Sequence, residues 1–288
     1  MCWGKEIIIC LPITSKQLPV SYLFLLLIIQ GFVRKMYWRL IDSGINSGRY
    51  NMAFDINLVE NASDDEAVLR FYRWEPYCIS LGANQKQEIL LLSKAFADNI
   101  DIVTRPTGGR AILHAEELTY SVVFPLDYTI PVKKIYNDIN NALAAGLMIY
   151  DENLISIETE SVQPDFKNIY KETRGVVCFS TTAKSEIKIN GKKLVGSAQR
   201  KRGKFVLQHG SILCGKFHRK IVDYLSIPDR EKDEIKDELD KKTIELETIL
   251  SEEINYEKLI KSLTAGFENY FQIKFVNSID QKNEIMNS

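Results

Sequence analysis

Asn190-Gly191 places the tightest constraint on the fold. A two-residue hairpin turn needs positive φ at both positions, and Asn-Gly supplies that with little strain. EIKI (186–189) alternates before the turn, and KKLV (192–195) returns after it. A basic turn, RKRGK (200–204), then leads to a further extended run, FVLQHGSIL (205–213). The spacing predicts adjacent antiparallel strands here. Gly196, Ser197 and Ala198 follow KKLV, and their small side chains leave room for a ligand beside a strand. Lys193 can reach into such a pocket. Its plainer reading is one half of a solvated pair with Lys192.

A second stretch, TRPTGGRAILHAEELTYS (104–121), reads as a ligand-holding loop between extended runs at 100–103 and 118–124. Gly108 and Gly109 let the backbone take positive φ and approach a ligand without a Cβ in the way. Arg105, Thr107 and Arg110 surround them. A turn with exposed N–H groups and two cations suits a phosphate or an acyl carbonyl. It is equally open to being an ordinary turn with surface arginines. His114 can donate to such a group, although a lone histidine more often bonds a backbone carbonyl. Glu116-Glu117 reads as a solvated pair.

The 288 residues are 45% hydrophobic and 26% charged with net charge −1, a globular balance that argues against bulk nucleic-acid binding. Five scattered cysteines with no CxxC pair or Cys/His metal spacing suit a reducing cytoplasm and no metal. Residues 1–35 differ from the rest. Their apolar run YLFLLLII (22–29) is short for a spanning helix, and Met36 reads as a natural start. This segment is expected to be an over-extended start, or alternatively a weak membrane anchor, so no stable membrane insertion is expected. The catalytic domain is expected at 36–276 and a disordered tail at 277–288.

Within that domain, 38–42 reads as a strand ended by Ser43-Gly44, and Asn51 as the N-cap of a helix over 52–60. Strands are expected at 67–74 and 78–81, and a helix at 88–98. Helices follow at 138–150, 217–225 and 255–271, with a last strand at 273–276. The order predicts a mixed α/β sheet. Cys178, in RGVVCFS (174–180), reads either as a small buried hydrophobe or as a nucleophile at a strand end.

Four ordered blocks carry a family likeness: NMAFD (51–55), YRWEPYCISLGANQ (72–85), RPTGGRAILHAEELTYS (105–121), and the stretch from CFS (178–180) through KLVGSAQ to QHGSIL (208–213). Through them the chain resembles the lipoate–protein ligase and octanoyltransferase family, related by fold to biotin–protein ligase. The resemblance implies an α+β, mixed α/β fold of the class II synthetase–biotin ligase type, with a bent, largely antiparallel sheet and flanking helices. It implies that the RPTGGRA loop and the KLVGSA strand line an acyl tunnel. Lys193 matches the lysine that contacts the acyl carbonyl, and Cys178-Phe179 matches the nucleophile motif of the cysteine-dependent, Gram-positive-type octanoyltransferases.

The resemblance further implies transfer from octanoyl–acyl carrier protein through a Cys178 thioester to a lipoyl-domain lysine, most naturally the glycine-cleavage H protein, without ATP. Lys193 would favour the thiolate and the developing oxyanion. His114 and His209 are secondary candidates for proton transfer. Leu81, Ile112 and Val195 are expected along the tunnel. Three other readings stand beside this one: an ATP-dependent lipoate ligase with Cys178 as a bystander, an amidotransferase between lipoyl domains, and a non-catalytic carrier-binding module.

Overall fold

The computed structural model describes residues 36–126, 130–159 and 187–276. Cys178, residues 1–35 and the tail lie outside them. An eight-stranded mixed sheet forms the centre. Its strands are β1 (Tyr37–Asn46), β2 (Glu66–Trp74), β6 (Glu117–Pro125), β7 (Ile157–Thr159), β8 (Ile187–Ile189), β9 (Lys192–Arg202), β10 (Phe205–Leu213) and β11 (Phe275–Val276), in the spatial order β11-β1-β2-β6-β10-β9-β8-β7. β1 pairs in parallel with both β2 and β11, and the other pairings in this sheet are antiparallel. A smaller sheet joins β4 (Asp101–Thr104), β3 (Cys78–Leu81) and β5 (Ile112–His114).

The Asn-Gly hairpin forms as the sequence predicts. Asn190 and Gly191 both have positive φ, and β8 returns into β9 across them. β1 runs further than expected. It passes Ser43-Gly44 through a register irregularity between Asp42 and Ile45, with Gly44 at φ +66.

Helices cover both faces. α1 (Gly48–Glu60) joins β1 to β2, α2 (Leu92–Ala97) follows β3, and α3 (Val132–Tyr150) follows β6. The chain closes with α4 (Asp229–Lys242), α5 (Leu246–Leu250) and α6 (Tyr256–Phe271). α3 and α6 pack on one face of the sheet, where Ile139, Leu143, Leu259, Leu263 and Phe267 join Leu69, Phe71, Tyr120 and Val122 in the main core. Their approach is close enough that a Cβ on Gly146 would lie 2.5 Å from the Leu263 Cα.

Further boundaries differ from the sequence reading; α3, for one, starts at Val132 rather than at 138. The cap of α1 is Ser47, whose hydroxyl accepts from the Tyr50 N–H at 3.4 Å. Asn51 lies inside the helix, where its side-chain amide donates to the carbonyls of Asn46 and Arg73. The helix expected over 88–98 is split into a 3-10 turn (Gln87–Ile89) and the short α2. Leu90 is drawn into a bridge with Leu225, and the Leu91 N–H donates to the Tyr224 carbonyl at 2.8 Å. Those pairings pull the backbone out of the helical path.

Candidate active site

β6 and β10 present alternate residues to the side of the sheet opposite α3 and α6. Thr119 and Ser121 of β6, with His209 and Ser211 of β10, meet there; register pairs Ser121 with His209 and Thr119 with Ser211. β9 adds Ala198 opposite His209 and Gly196 opposite Ser211. Thr119, His209, Ser211, Gly196 and Ala198, with Trp74, Arg105, Ile112 and His114, wall a cavity; Ser121 lies beside it, bonded to Asp55. The small residues of β9 therefore do what the sequence suggested, leaving space beside the strand. Ile112 is on the wall. Leu81 and Val195 are packed in hydrophobic clusters and are absent from the lining, contrary to expectation.

The RPTGGRA loop forms one end of the cavity, but its arginines serve it differently from the anion-holding reading. Arg105 is buried, and its guanidinium donates to the Ser80 carbonyl and hydroxyl and to the carbonyls of Gly108 and Arg110. Its charge locks the loop. Arg110 is buried as well. Of the two glycines, only Gly109 has positive φ, at +102. Its carbonyl oxygen would sit 2.0 Å from a Cβ on Gly82, so the 82–85 and 105–110 loops touch backbone to backbone. From β9, the Arg200 guanidinium donates to the Pro106 carbonyl at 2.6 Å.

Two buried polar networks stand behind the cavity. In the first, Asp55 accepts from Arg70 at 2.7 Å, Ser121 at 2.8 Å and Tyr72 at 3.1 Å. Arg70 also donates to Asn51, one helical turn before Asp55, and its guanidinium lies 3.9 Å from the Tyr72 ring centroid. His209 sits 3.7 Å from Asp55 and hydrogen-bonds the Thr107 hydroxyl through Nε2. Burial pushes the Asp55 carboxyl up, but His209 and Arg70 outweigh it and hold the group below its ordinary range. Burial keeps His209 below the ordinary imidazole value, against the pull of Asp55.

The second network centres on Glu117. Its Oε1 accepts from His114 Nδ1 at 2.8 Å, from Ser211 at 2.9 Å and from Thr119. A carboxylate oxygen accepts, so Nδ1 carries the proton. His114 Nε2 then accepts from the Ser80 hydroxyl at 2.7 Å, whose oxygen in turn accepts from Arg105 at 3.1 Å. Trp74 stacks on the imidazole at 4.1 Å and donates Nε1–H to Thr119. His114 is thus held in one tautomer and one orientation. Glu117, expected to be solvated, is 2% exposed.

The structure brings Arg105, His114, Gly196, Ser197, Ala198 and His209 to one cavity, with Thr107 bonded to its wall and Gly108, Gly109 and Arg110 in the loop behind it. Lys193 is buried, three residues before Gly196, and is not part of the cavity lining. Sequence reasoning missed Asp55, Arg70, Trp74 and Glu117 as site residues. Asn51–Asp55 was a visible block, but nothing local said that its polar members face inward. Among the described residues no group of three or more His, Cys, Asp or Glu side chains is gathered to hold a metal ion.

Residues 47–268 match the family model of the lipoyl protein ligase A/B catalytic domain. The chain is 35% identical over 246 residues to octanoyltransferase LipM of Clostridioides difficile, covering 83% of this chain and 89% of that one. It is 32% identical over 251 residues to octanoyltransferase LipM of Bacillus subtilis, covering 84% and 88%. Among solved structures, a bipartite lipoate protein ligase of Thermoplasma acidophilum superposes with TM-score 0.67 at 20% identity, over 84% of this chain and 87% of that chain. Lipoate-protein ligase A bound with ATP superposes with TM-score 0.66 at 20% identity, over 84% and 89%. A shared fold of this extent, with sequence matches above 30% over most of the chain, places the protein in the lipoyl protein ligase A/B catalytic-domain family.

Proposed function

We propose that the protein is an octanoyltransferase that acylates a lysine of a lipoyl domain. The observation that carries this reading is the match, at 31–35% identity, to relatives named octanoyltransferase LipM across more than four fifths of the chain. The cavity supports it, because an eight-carbon chain needs an apolar enclosure beside polar groups that can meet a carbonyl.

The donor is octanoyl–acyl carrier protein. The Cys178 thiolate attacks the thioester carbonyl, a new C–S bond forms, and the donor thiol departs. The acceptor lysine, as the free amine, then attacks the enzyme thioester; a C–N bond forms and the Cys178 sulfur leaves as thiolate. Exchange between thioesters is close to isoenergetic, so ATP takes no part. Lys193 is assigned to the carbonyl and to lowering the thiol pKa. The other two described thiols are unsuited to attack. Burial pushes Cys214 up to about 12 and holds Cys78 well above its ordinary value. The acceptor is the glycine-cleavage H protein or another lipoyl domain, and the setting is the cytoplasm. Among the described residues no helix is long and apolar enough to cross a membrane.

The test is intact-protein mass spectrometry of the chain mixed with octanoyl–acyl carrier protein in the absence of ATP. An octanoyl adduct mapping to Cys178, discharged by apo H protein and absent in Cys178→Ser, is the expected result. Acylation that appears only with ATP and free octanoate would overturn it in favour of a ligase.

A further inference from the structure

β9 continues past the cavity into a basic hairpin. Ala198 walls the cavity, and Arg200 and Arg202 follow it at two-residue steps on the same face of the strand. Register pairs Arg202 with Phe205, so Gly203 and Lys204 form a two-residue turn, with Gly203 at φ +58. The Leu126 N–H donates to the Lys204 carbonyl at 2.7 Å and ties the turn to the end of β6. Arg200 donates to the Pro106 carbonyl at 2.6 Å, which fastens the hairpin to the loop at one end of the cavity. Thr107, next along that loop, bonds His209 opposite Ala198. The hairpin is thus a fixed extension of the cavity wall at its loop end.

Its charge is one-sided. Arg200, Lys201, Arg202 and Lys204 stand together in a chain whose net charge is −1. Arg200, Lys201 and Lys204 are exposed, and Arg202 is half-buried. Lys204 lies 3.6 Å from Asp64, a pair open to solvent and therefore of little worth. Among the described residues Lys201 and Arg202 make no ion pair. Crowded like charges lower stability, and the turn itself needs only Gly203 and the strand pairing. Such a patch acts through a partner of opposite charge.

Resting on the octanoyl-transfer reading, we infer that the β9–β10 turn docks the acidic face of the carrier protein that donates the octanoyl group. Arg202 stands about 13 Å beyond Ala198, at about 3.3 Å per residue of strand. An acceptor lysine has only its own side chain with which to cross such a gap. A carrier protein holds its thioester at the end of a long arm, joined to it through a phosphodiester. The carrier stays outside on the turn, and the arm brings the acyl group past the 105–110 loop into the cavity, where the transfer takes place. The phosphodiester is itself an anion that a guanidinium suits.

The experiment reverses two charges in the full chain, Lys201→Glu with Arg202→Glu, and follows binding of dye-labelled acyl carrier protein by fluorescence anisotropy. The native chain should bind the carrier less well as salt rises. The variant should bind it about tenfold more weakly at low salt, because charges at the rim of an interface set association rate and salt dependence. Lys201→Gln with Arg202→Gln, which removes charge without adding any, should lose an intermediate share. Acylation by octanoyl-pantetheine, a thioester with neither protein nor phosphate, should be unchanged, as should discharge to an apo lipoyl domain. Equal carrier binding by all three chains would overturn the inference. A loss that extends to octanoyl-pantetheine would place the effect on the cavity, and a loss confined to discharge would give the patch to the acceptor; either overturns it as well. Carrier binding that follows the charges in a chain that transfers no octanoyl group would overturn the transfer reading and leave the docking surface standing.

Discussion

On β6, Leu118, Tyr120, Val122 and Phe124 join the core under α3 and α6, while Glu117, Thr119 and Ser121 between them face the cavity and its networks. β2 divides in the same way: Ala67, Leu69 and Phe71 join that core, and Arg70, Tyr72 and Trp74 do not. The two faces obey the same strand alternation but different energetics. One face removes hydrocarbon from water, at about 25 cal/mol for each Å² buried. The other buries Arg70, Asp55 and Glu117, which only hydrogen bonds and counter-charges make tolerable. A fold that needed only stability could fill the second face with apolar side chains. Retaining charge there is the mark of the site.

That contrast can be broken first at Asp55. Replacing it with Ala strands the Arg70 guanidinium in a dry interior and should cost about 3–5 kcal/mol in urea unfolding. Replacing both partners (Asp55→Leu with Arg70→Met) should bring stability back to about the native level without recovering octanoyl transfer. A double variant that is both stable and active would show that the polar face is not kept for function. Phe267→Ala, on the opposite face, should also cost about 3–5 kcal/mol by leaving a cavity. Its transfer activity per folded molecule should stay near the native value, because Phe267 touches only the α3–α6 side.

Acid sharpens the comparison further. Burial depresses both His209, beside the cavity, and His218, which contacts Thr243. Each is neutral in the folded chain and binds protons more readily when unfolded. Their contribution is therefore complete above the ordinary value of 6.5 and is lost as pH falls through the depressed folded values. Equilibrium unfolding measured from pH 7 downward should show stability falling below 6.5, and His209→Gln together with His218→Gln should flatten that fall. A profile unchanged by the pair would remove both histidines from the account. The smallest effect belongs to the helix that carries Asn51 and Asp55 to the site: Ser47→Ala should cost about 1 kcal/mol through the lost cap.

Features set by local chemistry could be read in the sequence. Cys78–Leu81 was visible as a strand, the Asn-Gly turn as a hairpin, and α6 as a helix, which the structure shows capped by Asn255. What escaped was set by distant partners. Asn51 has the chemistry of a cap, yet it is needed by Arg70 and by two backbone carbonyls across the sheet. Glu116-Glu117 resembles any exposed acidic pair until Glu116 takes φ +48 and turns Glu117 inward at the start of β6. Arg105 was visible as a loop cation, but that its donors go to the loop's own carbonyls depends on contacts across to Ser80. The cavity residues on small-residue strands were legible, and the charges behind them were not.

The backbone contact between Gly82 and Gly109 bears on how such a protein can change over generations. The obstacle to a side chain at position 82 is a main-chain oxygen, which no substitution elsewhere removes. Even alanine at this position has no compensating mutation of the usual kind, and a lineage that acquires it must rebuild the 105–110 loop or lose it. The neighbouring residues of that loop can drift one at a time, while position 82 stays closed to stepwise exploration.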